Sequence, residues 1–269
     1  RLAGSTSMTE AKEIKPYGSW ESPITASFIT SSSVGLGALE VDSKGNLFWL
    51  EGRPQEQGRY VVVQYNKSSP SANERGGVDV IPKNANARSR VHEYGGGAYT
   101  LHPSGGVIYS DFASQRLYWS KDGVGQPDLL TPEDGPFGWP NGRYRFADGK
   151  VDPSGERLIT VREDHGENGD RVPAEVVNEI VSVALDGSGQ MFVLATGCDF
   201  YAAPRLSPSG ENLAYITWNH PSMPWDATEL RVVTLVDGLP ATPDTSCHML
   251  IDGANNDTSV LQPAWHPEK

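Results

Sequence analysis

One tight-turn signature recurs along the chain at intervals of 50 to 60 residues, and an apolar run follows each occurrence. The four occurrences begin at Asp42, His102, Asp152 and Ser207, and each ends in glycine three residues later. Such sequences suit tight turns, because proline presets φ and glycine accepts positive φ. A turn that recurs at the same position in each repeat predicts a repeated supersecondary unit. A period of 50 to 60 residues is typical of radial β arrays.

Each repeat also holds further strand-forming runs. Residues 59–65 and 179–185 alternate in β-branched side chains, and shorter runs such as 190–194 follow them. Small residues at 95–98 and 202–204 precede the turns, which suits innermost strands that crowd around a central axis. Four strands in each repeat predict the blade of a β-propeller. A β-sandwich with regular hairpins is the alternative, but it would not repeat one turn at the same phase.

The sequence therefore predicts an all-β fold, a partial β-propeller with about four four-stranded antiparallel blades plus the start of a fifth. After an N-terminal tail over residues 1–22, the predicted blades cover about residues 35–83, 95–131, 146–196 and 202–252, and the fifth begins at 261. A fifth turn starts at His266-Pro267, so we expect a piece of a longer propeller. An open arc leaves apolar sheet surface uncovered, which we expect on alternate residues of 213–218 and 230–235.

Composition narrows the classes of partner. The net charge of −12 and the pI near 4.9 disfavour nucleic acid and anionic membranes as partners. Two cysteines, Cys198 and Cys247, make neither a disulfide framework nor a metal site, and whether they pair stays open. No apolar run approaches the length of a membrane span. We expect a cytoplasmic location, with an organellar targeting segment before Met8 left open.

The motifs of several enzyme classes are missing from the chain. It contains no Gly-x-Ser-x-Gly nucleophile elbow, no His-Glu-x-x-His zinc motif, no phosphate-binding loop and no Cys-x-x-Cys pair. We therefore predict no catalytic residue, no metal and no cofactor within this chain.

Two short segments concentrate cationic, carboxylate and imidazole side chains beside predicted inner strands. The candidate residues for a substrate channel are Arg90, His92, Glu93, Glu163, Asp164 and His165. On a functional interpretation they project into the channel and meet a peptide terminus or a partner domain. On a structural interpretation they form ion pairs and hydrogen bonds between adjacent blades. The acidic loop 163–170 does not have the spacing of a known calcium loop.

The aromatic residues divide into two groups. Trp49, Trp119 and Trp218 fall on predicted strands, where core packing between blades explains them better than a ligand platform. The proline-rich insertion at residues 220–226 is predicted to be a loop, and exposed aromatic residues on loops more often contact a partner.

Several long strings resemble one protein family. They are Tyr17-Gly18-Ser19-Trp20-Glu21-Ser22-Pro23, Glu51-Gly52-Arg53-Pro54, Arg90-Val91-His92-Glu93-Tyr94-Gly95-Gly96-Gly97, Val161-Arg162-Glu163-Asp164-His165, Pro204-Arg205-Leu206-Ser207-Pro208 and Met223-Pro224-Trp225-Asp226. Together they resemble the N-terminal β-propeller of the prolyl oligopeptidase family of serine peptidases, in the dipeptidyl aminopeptidase or acylaminoacyl-peptidase-like branch.

The resemblance implies a function that the chain would share with further domains. In that family a seven- or eight-bladed propeller covers an α/β-hydrolase domain with a Ser-Asp-His triad and restricts access to short peptides. The expected partners are the α/β-hydrolase domain, the remaining blades and short peptide substrates, with residues 24–30 forming a strand of the final blade. A non-enzymatic scaffold for protein interactions remains the alternative function, and a propeller hydrolase with its own channel site is a third.

Overall fold

The computed structural model describes residues 14–30, 33–123, 125–133, 142–241, 247–251, 253 and 258–267, with the backbone alone at 30, 247 and 248. Nearly all of its regular structure is β, arranged as four separate antiparallel sheets that follow one another along the chain. The predicted all-β, partial β-propeller architecture is therefore confirmed. No helix among the described residues is long and apolar enough to cross a membrane.

Each sheet is a meander of consecutive strands. The first contains β1 (Gly35–Val41), β2 (Leu47–Arg53), β3 (Arg59–Tyr65) and β4 (Gly77–Asp79), and the second β5 (Tyr99–Leu101), β6 (Val107–Ser110), β7 (Leu117–Ser120) and β8 (Asp128–Leu129). The third contains β9 (Tyr144–Val151), β10 (Arg157–Asp164), β11 (Val177–Ala184) and β12 (Met191–Ala195). The fourth contains β13 (Phe200–Leu206), β14 (Asn212–Trp218), β15 (Glu229–Val236), β16 (Leu239–Pro240) and β17 (Cys247–Ile251), the last two both pairing with β15.

The recurring turn joins the first two strands of every sheet. In each turn the backbone N–H of the glycine donates to the carbonyl oxygen three residues earlier, as from Gly155 to Asp152 at 3.0 Å. The glycines all have positive φ, from 76° at Gly210 to 116° at Gly105. This is the conformation that glycine adopts without a steric penalty, so the repeat predicted from sequence has a direct structural cause.

The strand before each turn is the innermost strand of its blade. Strands β1, β5, β9 and β13 contact one another in succession, whereas their own sheets extend away from this line. Space is short there, since a Cβ on Gly96 would lie 2.9 Å from the Cβ of Ala147, and one on Gly97 would lie 2.8 Å from Asp148 Oδ1. The small residues predicted at this crowded position are therefore required by packing.

Three of these inner strands carry a β-bulge that the sequence pattern did not reveal. The strand register shifts around Ala38, Asp148 and Ala203, and each of these residues has a positive φ between 48° and 58°. Each lies four residues before the first residue of its turn. Gln262 has the same phase relative to His266 and also has a positive φ, 56°. The bulge is thus part of the repeat.

The hydrophobic core lies between successive blades. One buried cluster joins side chains of the first and second sheets, including Val62 and Tyr109. A second joins the second and third sheets, including Ile108 and Phe146, and a third joins the third and fourth, including Ile180. Because every cluster needs two sheets, each blade is stabilised by its neighbours, as expected for a repeat architecture.

Two expectations of the sequence analysis are wrong in detail. Residues 24–30 do not form a strand, because Thr25 accepts a hydrogen bond from the Phe28 N–H at 3.0 Å and starts the short helix α1 (Ala26–Thr30). The face of β14 that we expected to be uncovered is buried: Leu261 lines the same recess as Ile216 and Trp218, and Val260 exchanges hydrogen bonds with the Thr228 side chain. Residues 258–267, where the fifth blade is expected to begin, have no partner strand among the described residues.

Candidate functional site

One carboxylate connects the two polar segments that the sequence singled out. Glu163, near the end of β10, accepts a hydrogen bond from the backbone N–H of His92 at 2.6 Å. Its other oxygen lies 3.0 Å from Nε2 of His165. Glu163 and His165 are both buried, each 4% exposed. The second and third blades are therefore joined through a buried, hydrogen-bonded carboxylate.

A second contact at this junction is closer to solvent. The guanidinium of Arg145 on β9 lies 2.6 Å from Glu93 and 4.0 Å from Glu163. It also donates to the carbonyl oxygen of Arg90 at 3.2 Å. Arg145 thus joins both segments as well, but through Glu93, whose side chain is 72% exposed.

The side chains of two of the six candidates lie apart from this junction. Asp164 accepts two hydrogen bonds from the Arg143 guanidinium, at 3.2 and 3.1 Å, and one from the Gly166 N–H. Burial opposes its ionisation, but these donors outweigh it, and the pKa of Asp164 is lowered. Arg90 places its guanidinium 4.3 Å from the centre of the Phe112 ring. Both residues contact protein, as the structural interpretation proposes.

An apolar recess lies beside the junction, on the inner side of the second, third and fourth blades. It has a volume of about 300 Å³. Of the six candidates, only His92 lines it. The lining is Val91, His92, Tyr94, Gly95, Gly96, Ala147, Asp148, Val161, Tyr201, Ala202, Ala203, Ile216, Trp218, Pro224, Leu261 and Gln262. We call this recess the inner cavity.

The His92 ring is held in an aromatic cluster beside the inner cavity. Its centroid lies 5.4 to 5.6 Å from the ring centroids of Tyr94, Phe200 and Trp218. Phe200 and Trp218 are themselves stacked, with centroids 5.3 Å apart. Trp218, assigned to core packing by the sequence analysis, is buried but also forms cavity wall.

The environment of His92 favours its neutral form. Burial lowers the pKa of His92, and the nearby carboxylates of Glu163 and Asp148 oppose this effect only in part. Its Nε2 atom is buried and has no hydrogen-bond partner among the described residues. His92 and Glu93 also have positive φ values of 55° and 65°. Such consecutive left-handed residues are costly and persist where the surroundings fix them.

Asp148 is a residue of the candidate site that sequence reasoning missed. It lies at the bulge of β9, and its Oδ1 accepts a hydrogen bond from the Gly97 N–H at 2.6 Å. Its Oδ2 accepts one from the Ala203 N–H at 3.3 Å. One side chain therefore joins three consecutive blades beside the inner cavity. Only its phase relative to the turn, shared with Ala38 and Ala203, could have indicated it.

Within the described ranges, no three His, Cys, Asp or Glu side chains converge as metal ligands. Cys198 is half-buried with a free thiol, and the side chain of Cys247 lies outside the described part of the chain. What the geometry presents is an apolar recess with a carboxylate and an imidazole in its wall.

Comparison with solved structures shows which proteins the chain is similar to. It is 32% identical to a puromycin-hydrolysing peptidase of Mycobacterium tuberculosis, with a TM-score of 0.77 over 96% of this chain. The match falls in the N-terminal propeller region of such peptidases. The chain belongs to the prolyl oligopeptidase family. It spans only 38% of the length of the mycobacterial peptidase.

Two puromycin hydrolase structures give the same result for this prolyl oligopeptidase-family propeller. One, a mutant complexed with PGG, is 28% identical with a TM-score of 0.74, covering 94% of this chain and 38% of its own. The other is also 28% identical, with a TM-score of 0.70, covering 89% of this chain and 36% of its own. No protein-family profile matches the chain, and no curated protein does.

Proposed function

We propose that this chain is the substrate-access part of a serine-type peptidase that hydrolyses short peptides or acylated amino acids. The observation that carries the proposal is the match of 96% of the chain to the propeller region of a puromycin-hydrolysing peptidase. On this proposal the nucleophile, general base and oxyanion hole come from an α/β-hydrolase domain, since the chain has no nucleophile elbow.

The inner strands supply the physical basis for selecting substrates. These strands lie side by side. The contacts of Glu163 and Arg145 with residues 90–93, and the inner cavity, are both on the inner-strand side of the blades. A peptide that reaches an active site beneath such a surface must be narrow, because the blades are fixed to one another by Asp148 and by the interblade cores. Short peptides meet that requirement, and full-length proteins, whether folded or unfolded, do not.

The experiment compares substrates of different size on the enzyme encoded by the full reading frame that contains this chain. We expect hydrolysis of aminoacyl anilides, acylated amino acid anilides or puromycin, and much slower cleavage of an unfolded protein such as casein. A serine-directed phosphonate should abolish turnover. Hydrolysis of casein as fast as that of the anilides would contradict an access role, and no hydrolysis of any small amide would contradict the peptidase assignment.

A further inference from the structure

The inner cavity combines a buried floor with an exposed apolar rim. Tyr201 and Ile216 in its floor are 1% and 2% exposed, and Trp218 is 5% exposed. Tyr94 and Leu261, which also line it, are 66% and 67% exposed. Large apolar side chains that stay exposed around a recess mark a binding surface more often than a random surface position.

The shape of the cavity results from the contrast between its walls. Its lining combines small residues in or beside the inner strands, such as Gly96, Ala147 and Ala202, with an aromatic wall formed by the rings of His92, Tyr94 and Trp218. Its volume of about 300 Å³ lies at the small end of the range for ligand pockets, roughly 300–1,000 Å³. It would hold one bulky side chain of a peptide and not a whole peptide.

The aromatic wall is fixed before any ligand arrives. The backbone of His92 is bonded to Glu163 at 2.6 Å, and its ring contacts Trp218 at one edge. Trp218 is in turn stacked on Phe200 at 5.3 Å. Because these rings are already ordered, a ligand that packs on them loses little additional side-chain entropy of the protein.

Among the described residues, the cavity is lined by one carboxylate and by no lysine or arginine. Asp148 lines it, and the fields of Asp148 and Glu163 reach both His92 and Tyr94. The imidazole of His92 does not offset this charge at neutral pH, because burial keeps it in the neutral form. An acidic side chain would therefore be repelled, whereas an uncharged aromatic or large aliphatic side chain meets apolar surface.

We propose that the inner cavity is a specificity pocket that receives a bulky apolar side chain, preferably aromatic, of a short peptide substrate. The inference rests on the proposed function for its biological meaning, but the binding itself is a property of this chain. The pocket prefers phenylalanine over alanine at the bound position and excludes glutamate.

Binding of three tripeptides to the folded chain, measured by isothermal titration calorimetry, tests the proposal. We expect N-acetylated, C-amidated Ala-Phe-Ala to bind about tenfold or more tightly than Ala-Ala-Ala, because burial of a full apolar side chain changes Kd by at least that factor. Ala-Glu-Ala should bind more weakly than either. Equal affinity for the three peptides would overturn the proposal.

Two substitutions locate the binding. Ala202→Leu fills the cavity and should remove the preference for Ala-Phe-Ala. Leu261→Ala removes an exposed rim side chain, with little risk to folding, and should weaken Ala-Phe-Ala binding severalfold. Leu36→Ala is the matched control, since Leu36 is 63% exposed on β1 and does not line the cavity. A preference that survives both cavity substitutions, or that is lost equally in the Leu36→Ala control, would refute the assignment to this pocket.

The two proposals fail in different ways. If the enzyme from the full reading frame hydrolyses small amides but the chain shows no preference for Ala-Phe-Ala, the pocket is wrong and the access role stands. If the chain shows the preference but the enzyme hydrolyses no small amide, the peptidase assignment is wrong and the pocket stands.

Discussion

At the scale of single residues, the carboxylates near the blade junction differ by burial. Glu163 is enclosed and holds the His92 N–H and the His165 ring, whereas Glu93 contacts Arg145 from the solvent side. Removing the acceptor of a buried hydrogen bond costs about 1–3 kcal/mol, whereas an exposed ion pair contributes about 0–1 kcal/mol. The sequence places both residues in one class, and only the fold distinguishes them.

The first prediction follows from that difference. We expect Glu163→Ala to lower the free energy of unfolding by about 2–3 kcal/mol, since the His92 N–H loses its acceptor, and Glu93→Ala to change it by less than about 1 kcal/mol. Urea denaturation of the two variants beside the parent chain measures both effects. Equal losses in the two variants would contradict the assigned roles.

Asp148 gives a second prediction, with a control that shares its backbone conformation. Asp148→Ala should lower the free energy of unfolding by about 1–3 kcal/mol beyond the backbone effect, since the N–H groups of Gly97 and Ala203 lose their acceptor. Asp237 also has a positive φ, 53°, but is exposed. The change in the free energy of unfolding of Asp237→Ala therefore measures only the cost of placing alanine in the left-handed conformation. Denaturation curves of equal midpoint for Asp148→Ala and Asp237→Ala would contradict the interblade role of Asp148.

The third prediction concerns pH. The folded state lowers the pKa of His92, chiefly by burial, so the unfolded chain binds more protons just below the ordinary histidine value. That ordinary pKa is about 6.5. The stability from neutral His92 is complete above this value and is lost as pH falls through the folded pKa. Between pH 7 and 5, stability should fall less in His92→Gln than in the parent chain, and parallel curves from thermal melting would contradict this.

At the scale of elements, the tight turn and the strands follow from local sequence, but the bulges do not. Glycine and proline specify the turn, and runs such as residues 59–65 coincide with β3 as the structure has it. The left-handed residues Ala38 and Ala203 have no such local signal, because their backbones are bonded to the adjacent blade, through the Tyr99 hydroxyl and the Asp148 carboxylate respectively. The inner cavity was not predictable for the same reason, since its walls come from three sheets.

The turn itself can be tested by a single methyl group. Gly45 has a φ of 82° and open space around its Cα, so Gly45→Ala introduces backbone strain without a clash. We expect a loss of about 1 kcal/mol in the free energy of unfolding. Gly35→Ala is the control, because Gly35 also has open space but no positive φ. The free energy of unfolding of Gly35→Ala should change by less than about 0.5 kcal/mol. An equal loss in Gly45→Ala and Gly35→Ala would contradict the turn geometry.

At the scale of the whole molecule, the two outer blades of the described arc carry exposed apolar residues. Leu36 and Leu39 on β1 are 63% and 66% exposed, and Leu250 on β17 is 61% exposed. Exposed apolar surface of this kind promotes association. We expect the chain to self-associate in sedimentation equilibrium, and Leu36→Lys with Leu250→Lys to reduce it. Ser43→Lys, also on an exposed position, should leave it unchanged, and a monomeric parent chain would contradict the expectation.

The central claim is that this propeller serves a peptidase and does not itself catalyse hydrolysis. The most direct measurement compares turnover of an aminoacyl anilide by the chain alone and by the enzyme from the full reading frame. We predict hydrolysis by the full enzyme, abolished by a serine-directed phosphonate, and none by the chain. Turnover by the chain alone, lost on substituting one of its own residues, would contradict the account.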